Sequence, residues 1–302
     1  MTEIKPKIIV ILGPTATGKS DLAVELALKY NGEVISADSR QVYKGMDLGT
    51  GKITKEEMKG VPHYMLDIIK ANSVYNVSKY KDKAQKIISE IIKRGKLPII
   101  CGGTGFYIDS VVNNTTLPEV LPNEKLRDKL ENKDCEQLLK ILNKIDSKAA
   151  KKVDQKNKRK IIRAIEIATE LGEVPEIKSE PLYDPIQIGL ITDDQTMKDR
   201  IKLRLIKRIE AGMLKEGLRL HKQGISWKRM EDLGLEYRYM ARHLSGQITL
   251  EQMIEQLNSK IWQYARRQKT WFRRNKSIIW LDPMSKTKTI NACKAVDKFL
   301  KC

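Results

Sequence analysis

The stretch Ile8-Ile-Val-Ile-Leu-Gly13-Pro-Thr-Ala-Thr-Gly18-Lys19-Ser20 decides how the rest of the chain is read. Five apolar, mostly β-branched residues lead straight into a loop of the form GxxxxGK[ST], and an amphipathic helical pattern (Leu22, Ala23, Leu26, Ala27) follows. Gly13 and Gly18 let the backbone wrap closely enough for successive N–H groups to point inward at phosphate oxygens. The helix opening at Lys19 turns its positive end toward the same anion. Lys19 adds a full charge, and the Ser20 hydroxyl is suited to Mg²⁺. Gly13, Pro14, Thr15, Ala16, Thr17, Gly18, Lys19 and Ser20 therefore read as a phosphate site. The loop leaves open whether the phosphates belong to a nucleotide or to another diphosphate.

Outward from this loop, short β-branched runs alternate with longer amphipathic stretches, the pattern of βα units on a parallel sheet. Strands are expected at Ile8–Leu12, Glu33–Ser36, His63–Asp67, Leu97–Cys101, Gln187–Ile191 and Ser277–Leu281. Helices are expected at Lys19–Tyr30, Ser78–Arg94, Glu136–Asn143, Lys158–Leu171, Asp199–Leu220 and Leu250–Arg273. The fold class is α/β: a P-loop NTPase-like parallel sheet flanked by helices, with a helical insertion lobe. Residues 1–210 form the first part of the core, 211–265 the helical insertion, and 266–302 the last helix and strand. Pro and Asn mark loops at Asn113–Asn123 and Val174–Pro185.

Composition narrows the partners. The 302 residues carry 57 Lys and Arg against 38 Asp and Glu, a formal net charge of +19. Such a surface repels itself unless an anion is nearby, and phosphate backbones are the commonest such partner. A lysine-rich surface without a partner is the plainer alternative. Hydrophobic residues at 41% suffice for a sizeable core and exclude wholesale disorder. The four cysteines (Cys101, Cys135, Cys293, Cys302) have no zinc-ligand spacing and no disulfide framework. A reduced, cytoplasmic setting is expected, with no membrane association, since no apolar run is long enough to span.

Three further features fall where a parallel sheet places its ligands, at the carboxyl ends of its strands. Asp38, in Ser36-Ala-Asp-Ser-Arg-Gln41, follows the second strand and faces the crevice of the phosphate loop. It reads either as a general base or as a turn-capping aspartate. Gly102-Gly-Thr-Gly-Phe-Tyr107 makes a tight strand-to-helix turn in which Thr104 can hydrogen-bond and the two aromatics can stack or pack. Arg204 and Arg208, four apart on one helix, can fork onto a diphosphate or belong to a solvated basic face with Lys202 and Lys207.

Together, GPTATGKS, ISADSRQVY, CGGTGFY, RKIIRAIEI and YARRQKTWFR, in this order, closely resemble the tRNA dimethylallyltransferase (tRNA isopentenyltransferase) family from Ile8 to about Asp282. The chain departs from that family at Gly234-Leu-Glu-Tyr-Arg238, where a Gly-Tyr-Lys/Arg pattern is usual. The resemblance implies that the phosphate loop grips the diphosphate of dimethylallyl diphosphate rather than ATP, with Thr15 near the leaving oxygen, Ser20 toward Mg²⁺, and Arg204 and Arg208 on the diphosphate. It implies Asp38 as the base on the adenine N6 amine, with Ser39, Arg40, Gln41 and Thr104 contacting the tRNA. It also places Arg159, Lys160, Ile161, Ile162 and Arg163 on a tRNA-contacting helix, with Arg127 a further contact. Trp271 and Phe272 read as core, and Arg266, Arg267, Gln268, Arg273 and Arg274 as RNA-side residues. The implied partner is the anticodon stem-loop, bound by a monomer. Rival readings are an adenylate isopentenyltransferase, a nucleoside or nucleotide kinase, and a non-catalytic RNA-binding protein.

Overall fold

The computed structural model describes residues 5–301. Its sheet contains β1 (Lys7–Leu12), β2 (Gly32–Ser36), β3 (His63–Tyr64), β4 (Leu97–Gly102), β5 (Asp184–Leu190) and β6 (Ile279–Leu281). They lie in the order β3-β2-β4-β1-β5-β6 with every pairing parallel. All six expected strands form, although the third is cut to two residues.

β1 has no polar residue between Ile8 and Leu12 because both sheet faces are covered. Ile8, Val10 and Leu12 pack with Tyr80, Ala84, Ile88 and Ile91 of helix Val77–Lys93. Ile9 and Ile11 turn the other way, onto Leu22 and Leu26 of helix Lys19–Lys29 and onto Ala292 and Val296 of helix Lys288–Lys301. Each fully buried Ile or Leu contributes about 2 kcal/mol relative to exposure, so the central strand anchors both layers.

The expected helix Asp199–Leu220 is two helices, Asp194–Glu210 and Met213–Lys222. Gly212 separates them with φ 100, a left-handed conformation that stops one helix and starts the next. Asp193 caps the first by accepting the Thr196 N–H at 2.9 Å.

The described chain has two compact units, Thr115–Glu180 and the remainder. Residues 211–265, expected as a lobe of their own, fall within the larger unit. Met213, Leu220, Met240, Met253 and Leu257 share one core with Val42, Tyr43 and Met46 from the segment after β2 and with Ile201 and Leu205. The smaller unit has its own core of Leu138, Leu142, Ala150, Ile161 and Ile165.

Candidate active site

The phosphate loop joins β1 to helix Lys19–Lys29 in a shape that its sequence enforces. Gly13 has φ 139, and a Cβ there would collide with the Leu190 carbonyl of β5. Ala16 takes φ 63, a strained value for a residue with a Cβ, and is held by Arg200, whose Nε donates to its carbonyl at 2.7 Å. Inside the loop, Thr17 Oγ1 donates to Pro14 O at 2.9 Å. Lys19 Nζ donates to the same carbonyl at 2.6 Å. Burial pushes the Lys19 ammonium down to about 8, with the neighbouring Arg204 charge adding to the effect and Asp38 opposing it. Ser20 is exposed in the first turn of the helix.

Two adjacent loops at the same sheet edge complete the site. After β2, Asp38 Oδ1 accepts the N–H groups of Arg40 (2.8 Å) and Gln41 (3.4 Å). After β4, Thr104 Oγ1 accepts the Ser39 N–H at 3.0 Å, and the Thr104 N–H donates to Ala37 O at 3.1 Å. Thr104 thus locks the Asp38 turn to the glycine turn. Gln41 is a buttress: its Oε1 accepts from Ser36 Oγ at 3.0 Å and its Nε2 donates to Gly51 O at 3.3 Å. Cys101 lies one residue before the end of β4, where burial pushes its thiol up to about 12, so it stays protonated and unreactive.

Arg204 reaches the phosphate loop. From helix Asp194–Glu210 its Nη1 donates to Thr15 Oγ1 and its Nη2 to Gly51 O, both at 3.1 Å. Burial and the charge of Arg208 hold its pKa below the usual guanidinium value. Arg208 differs from expectation. Its Nη1 donates to Leu48 O (3.2 Å) and Gly49 O (2.9 Å), and its Nη2 pairs with Glu236 at 3.1 Å. It braces the loop after β2 rather than presenting an open fork. Gln268 is also corrected: expected on the RNA side, it is 6% exposed and joins two loops of the site. Its Oε1 accepts the Thr15 N–H at 2.9 Å and its Nε2 donates to Gly103 O at 2.8 Å. Helix Leu250–Phe272 brings it there, three turns of apolar contacts after Leu257. Arg266 and Arg267 on that helix, and Arg273 and Arg274 after it, are exposed, while Phe272 is core and Trp271 half-buried, donating from Nε1 to Asp109 at 2.8 Å.

A cavity of about 610 Å³ opens over these loops, lined by Thr15, Lys19, Asp38, Gly51, Arg204 and Tyr264 among others. Tyr264 and Arg200 were not singled out in the sequence, where both sit among like residues on basic helices. Burial holds the Tyr264 phenol well above its usual range, so it enters the site as a hydrogen-bonding hydroxyl. Among the described residues no group of three or more His, Cys, Asp or Glu could hold a metal ion. Ser20, exposed in the first turn of the helix, carries a hydroxyl that could ligate a hard divalent cation beside phosphate oxygens and water.

In the unit Thr115–Glu180, Glu166 is a buried hub. Arg127 donates to it from Nε and Nη2 at 2.8 Å each, and Arg163 from Nη1 at 3.3 Å, with Arg163 Nη2 on Val120 O at 2.8 Å. Against burial, which would raise it, the Arg127 bonds and the Asn123 N–H keep the Glu166 carboxyl below its usual range. Arg127 and Arg163 are therefore committed to this fold. Ile161 and Ile162, expected at the tRNA surface, are buried in the unit's core. Arg159 and Lys160 are exposed, with Lys160 Nζ at 3.3 Å from Asp154.

A parallel sheet with a glycine-bounded anion loop after its first-numbered strand, and an acid and an arginine at the same edge, defines a P-loop-type α/β protein. The profile described as IPP transferase matches residues 41–275, and the chain belongs to that family, whose members are prenyl-transferring enzymes. The protein called tRNA dimethylallyltransferase 2 in Treponema denticola is 44% identical over 272 residues, covering 88% of this chain and 91% of that one. The tRNA dimethylallyltransferase of Bacillus cytotoxicus is 37% identical, covering 97% and 95%. The crystal structure of the tRNA isopentenylpyrophosphate transferase of Bacillus halodurans is similar with a TM-score of 0.74 at 36% identity, covering 98% of this chain and 99% of that one. A eukaryotic dimethylallyltransferase captured acting on tRNA gives a TM-score of 0.83 at 27% identity, covering 98% and 80%.

Proposed function

We propose that this chain transfers the dimethylallyl group of dimethylallyl diphosphate to N6 of the adenosine just 3′ of the anticodon in tRNA, giving N6-(dimethylallyl)adenosine. One observation carries the reading: a site for a leaving diphosphate and a carboxylate suited to act as base line one cavity. The adenine N6 amine is a weak nucleophile because its lone pair is delocalised into the ring, so it needs close positioning and help with its proton. In the step, the bond between the allylic carbon and the diphosphate oxygen breaks, and the diphosphate leaves with the electron pair. The new bond forms from N6 to that carbon, and the N6 proton passes to Asp38. Oδ1 of Asp38 is held by two backbone N–H groups, which leaves Oδ2 to take the proton.

The phosphate loop, Lys19 and Arg204 bind the diphosphate and offset the charge that grows on it as it departs. A bound magnesium ion would supply further charge neutralisation there. Thr15 is aimed by Arg204 and by Gln268 at once, which fits a residue beside the leaving oxygen. The adenine must leave its stack to enter the cavity, and the excess of basic charge supports a polynucleotide acceptor over a free nucleotide. Arg159 and Lys160, with Arg266, Arg267, Arg273 and Arg274, are the exposed cations from which the stem-loop contacts would come. The groups named here all lie on this chain, which supports a monomer, and a tRNA acceptor supports a cytoplasmic setting. ATP has no part in the scheme. The test is incubation with labelled dimethylallyl diphosphate and unmodified tRNA without ATP. Label is expected in the tRNA, and a strict ATP requirement would sink the scheme.

A further inference from the structure

Glu216, on helix Met213–Lys222, is 6% exposed and has no part in the chemistry above. Its carboxylate nevertheless meets four donors. Oε2 accepts the N–H groups of Asp47 (2.9 Å) and Leu48 (2.7 Å). Oε1 accepts the Gly49 N–H (2.9 Å) and the Tyr237 hydroxyl (2.7 Å). A desolvated acid persists in a core only when its acceptor capacity is used in this way. Carbonyls of the same loop face cations: Leu48 O, on the peptide whose Gly49 N–H binds Glu216, and Gly49 O accept from Arg208, and Gly51 O accepts from Arg204. The loop is thus clamped between a carboxylate on its N–H side and two guanidinium groups on its carbonyl side. Two glycines make the fit possible. A Cβ at Gly49 would lie 2.6 Å from the Tyr237 ring, and one at Gly51, where φ is 60, would collide with the Arg204 guanidinium.

We propose that Glu216 is a positioning residue for the diphosphate: it fixes the Asp47–Gly51 loop, whose Gly51 carbonyl aims Arg204 at Thr15 of the phosphate loop. The inference rests on the reading of this cavity as the donor site. Arg204 has a planar fork, so pinning Nη2 on Gly51 O sets the direction of Nη1 onto Thr15 Oγ1. Glu236 balances Arg208, and Arg204 forms no ion pair with a carboxylate among the described residues. Its charge is therefore kept for the diphosphate.

Inorganic pyrophosphate is the probe, with binding read by calorimetry on the full chain. Glu216→Gln keeps the shape but sets an amide NH₂ against backbone donors, and should weaken pyrophosphate binding roughly tenfold. Donor KM should rise more than kcat falls, while tRNA affinity stays within about twofold. In an Arg204→Ala background the same substitution should cost no more than about twofold, because its effect travels through Arg204. Unaltered pyrophosphate binding in the native background, or the full loss in the Arg204→Ala background, overturns the inference. If Glu216→Gln fails to fold, Tyr237→Phe removes one donor of the four and should cost roughly threefold in the native background alone; an equal effect in both backgrounds overturns it. A wild-type chain that binds neither pyrophosphate nor dimethylallyl diphosphate would instead sink the donor-site reading.

Discussion

Asp38→Asn separates a base from a brace. In the folded protein Oδ1 carries both structural bonds, to the N–H groups of Arg40 and Gln41. An asparagine side-chain oxygen accepts the same two bonds, so the turn keeps its shape and stability should change by less than about 0.5 kcal/mol. Thr104 continues to hold Ser39 through a bond that does not involve the substituted group. What changes is the second oxygen, which becomes an NH₂ and cannot take a proton. General base catalysis is worth about 10²- to 10⁴-fold, a barrier change of about 2.7–5.4 kcal/mol. The assay is single-turnover transfer with saturating donor and unmodified tRNA, beside separate measurements of donor and tRNA affinity. Both affinities should stay within about threefold while the transfer rate falls by the full factor. Transfer at a near-parental rate would refute the reasoning, and the N6 proton would then go to solvent or to the departing diphosphate.

Arg204→Ala should behave differently, weakening dimethylallyl diphosphate binding as well as slowing transfer, because the diphosphate is charged in both ground and transition states. A charge-assisted bond is worth about 1.5–3 kcal/mol, so equilibrium binding should drop by about 10- to 150-fold, and a variant that loses rate alone would contradict this. Donor affinity should also break near pH 8. Lys19 in the free protein loses its proton as pH rises through about 8, whereas a bound diphosphate favours the charged form and raises that value. Above the break, binding must take up a proton and affinity falls toward about tenfold per pH unit, while below it Lys19 adds no pH dependence. Titrations of donor binding should show this break in the wild type and lose it in Lys19→Met. For tRNA, Arg159→Glu should lower the slope of log Kd against log salt by about one phosphate's worth while leaving donor binding unchanged. An unchanged slope removes Arg159 from the interface.

The sheet was legible because each strand is a short apolar run closed by a turn, and the order of loops along it followed. The phosphate loop, Asp38 and Thr104 could be read for the same reason: each lies within a few residues of a strand's carboxyl end. Long-range partnerships could not. Nothing near Gln268 in sequence says that it will cap Thr15, 253 positions away, or that Glu216 will take three N–H groups 167 to 169 positions away. Arg204 and Arg208 share one helix face, yet Leu48 O, Gly49 O and Glu236 claim the second alone. Residues 211–265 looked like a separate lobe because they contain no strand. Their apolar faces dock instead on Val42, Tyr43 and Met46, which periodicity does not reveal. The separate unit Thr115–Glu180 begins and ends within the two proline-marked loops. Helix Lys288–Lys301 escaped notice because Ala292 and Val296 are the two buried residues it offers the sheet.

The central claim is that one cavity joins a prenyl diphosphate to a tRNA adenosine. Its most direct test offers the protein labelled dimethylallyl diphosphate with unmodified tRNA and free AMP together, without ATP, then digests the RNA and maps the label. The account predicts label on N6 of the adenosine just 3′ of the anticodon, almost none on AMP, and almost none anywhere with Asp38→Asn. Label that accumulates on AMP, or that enters tRNA equally well with Asp38→Asn, would contradict it.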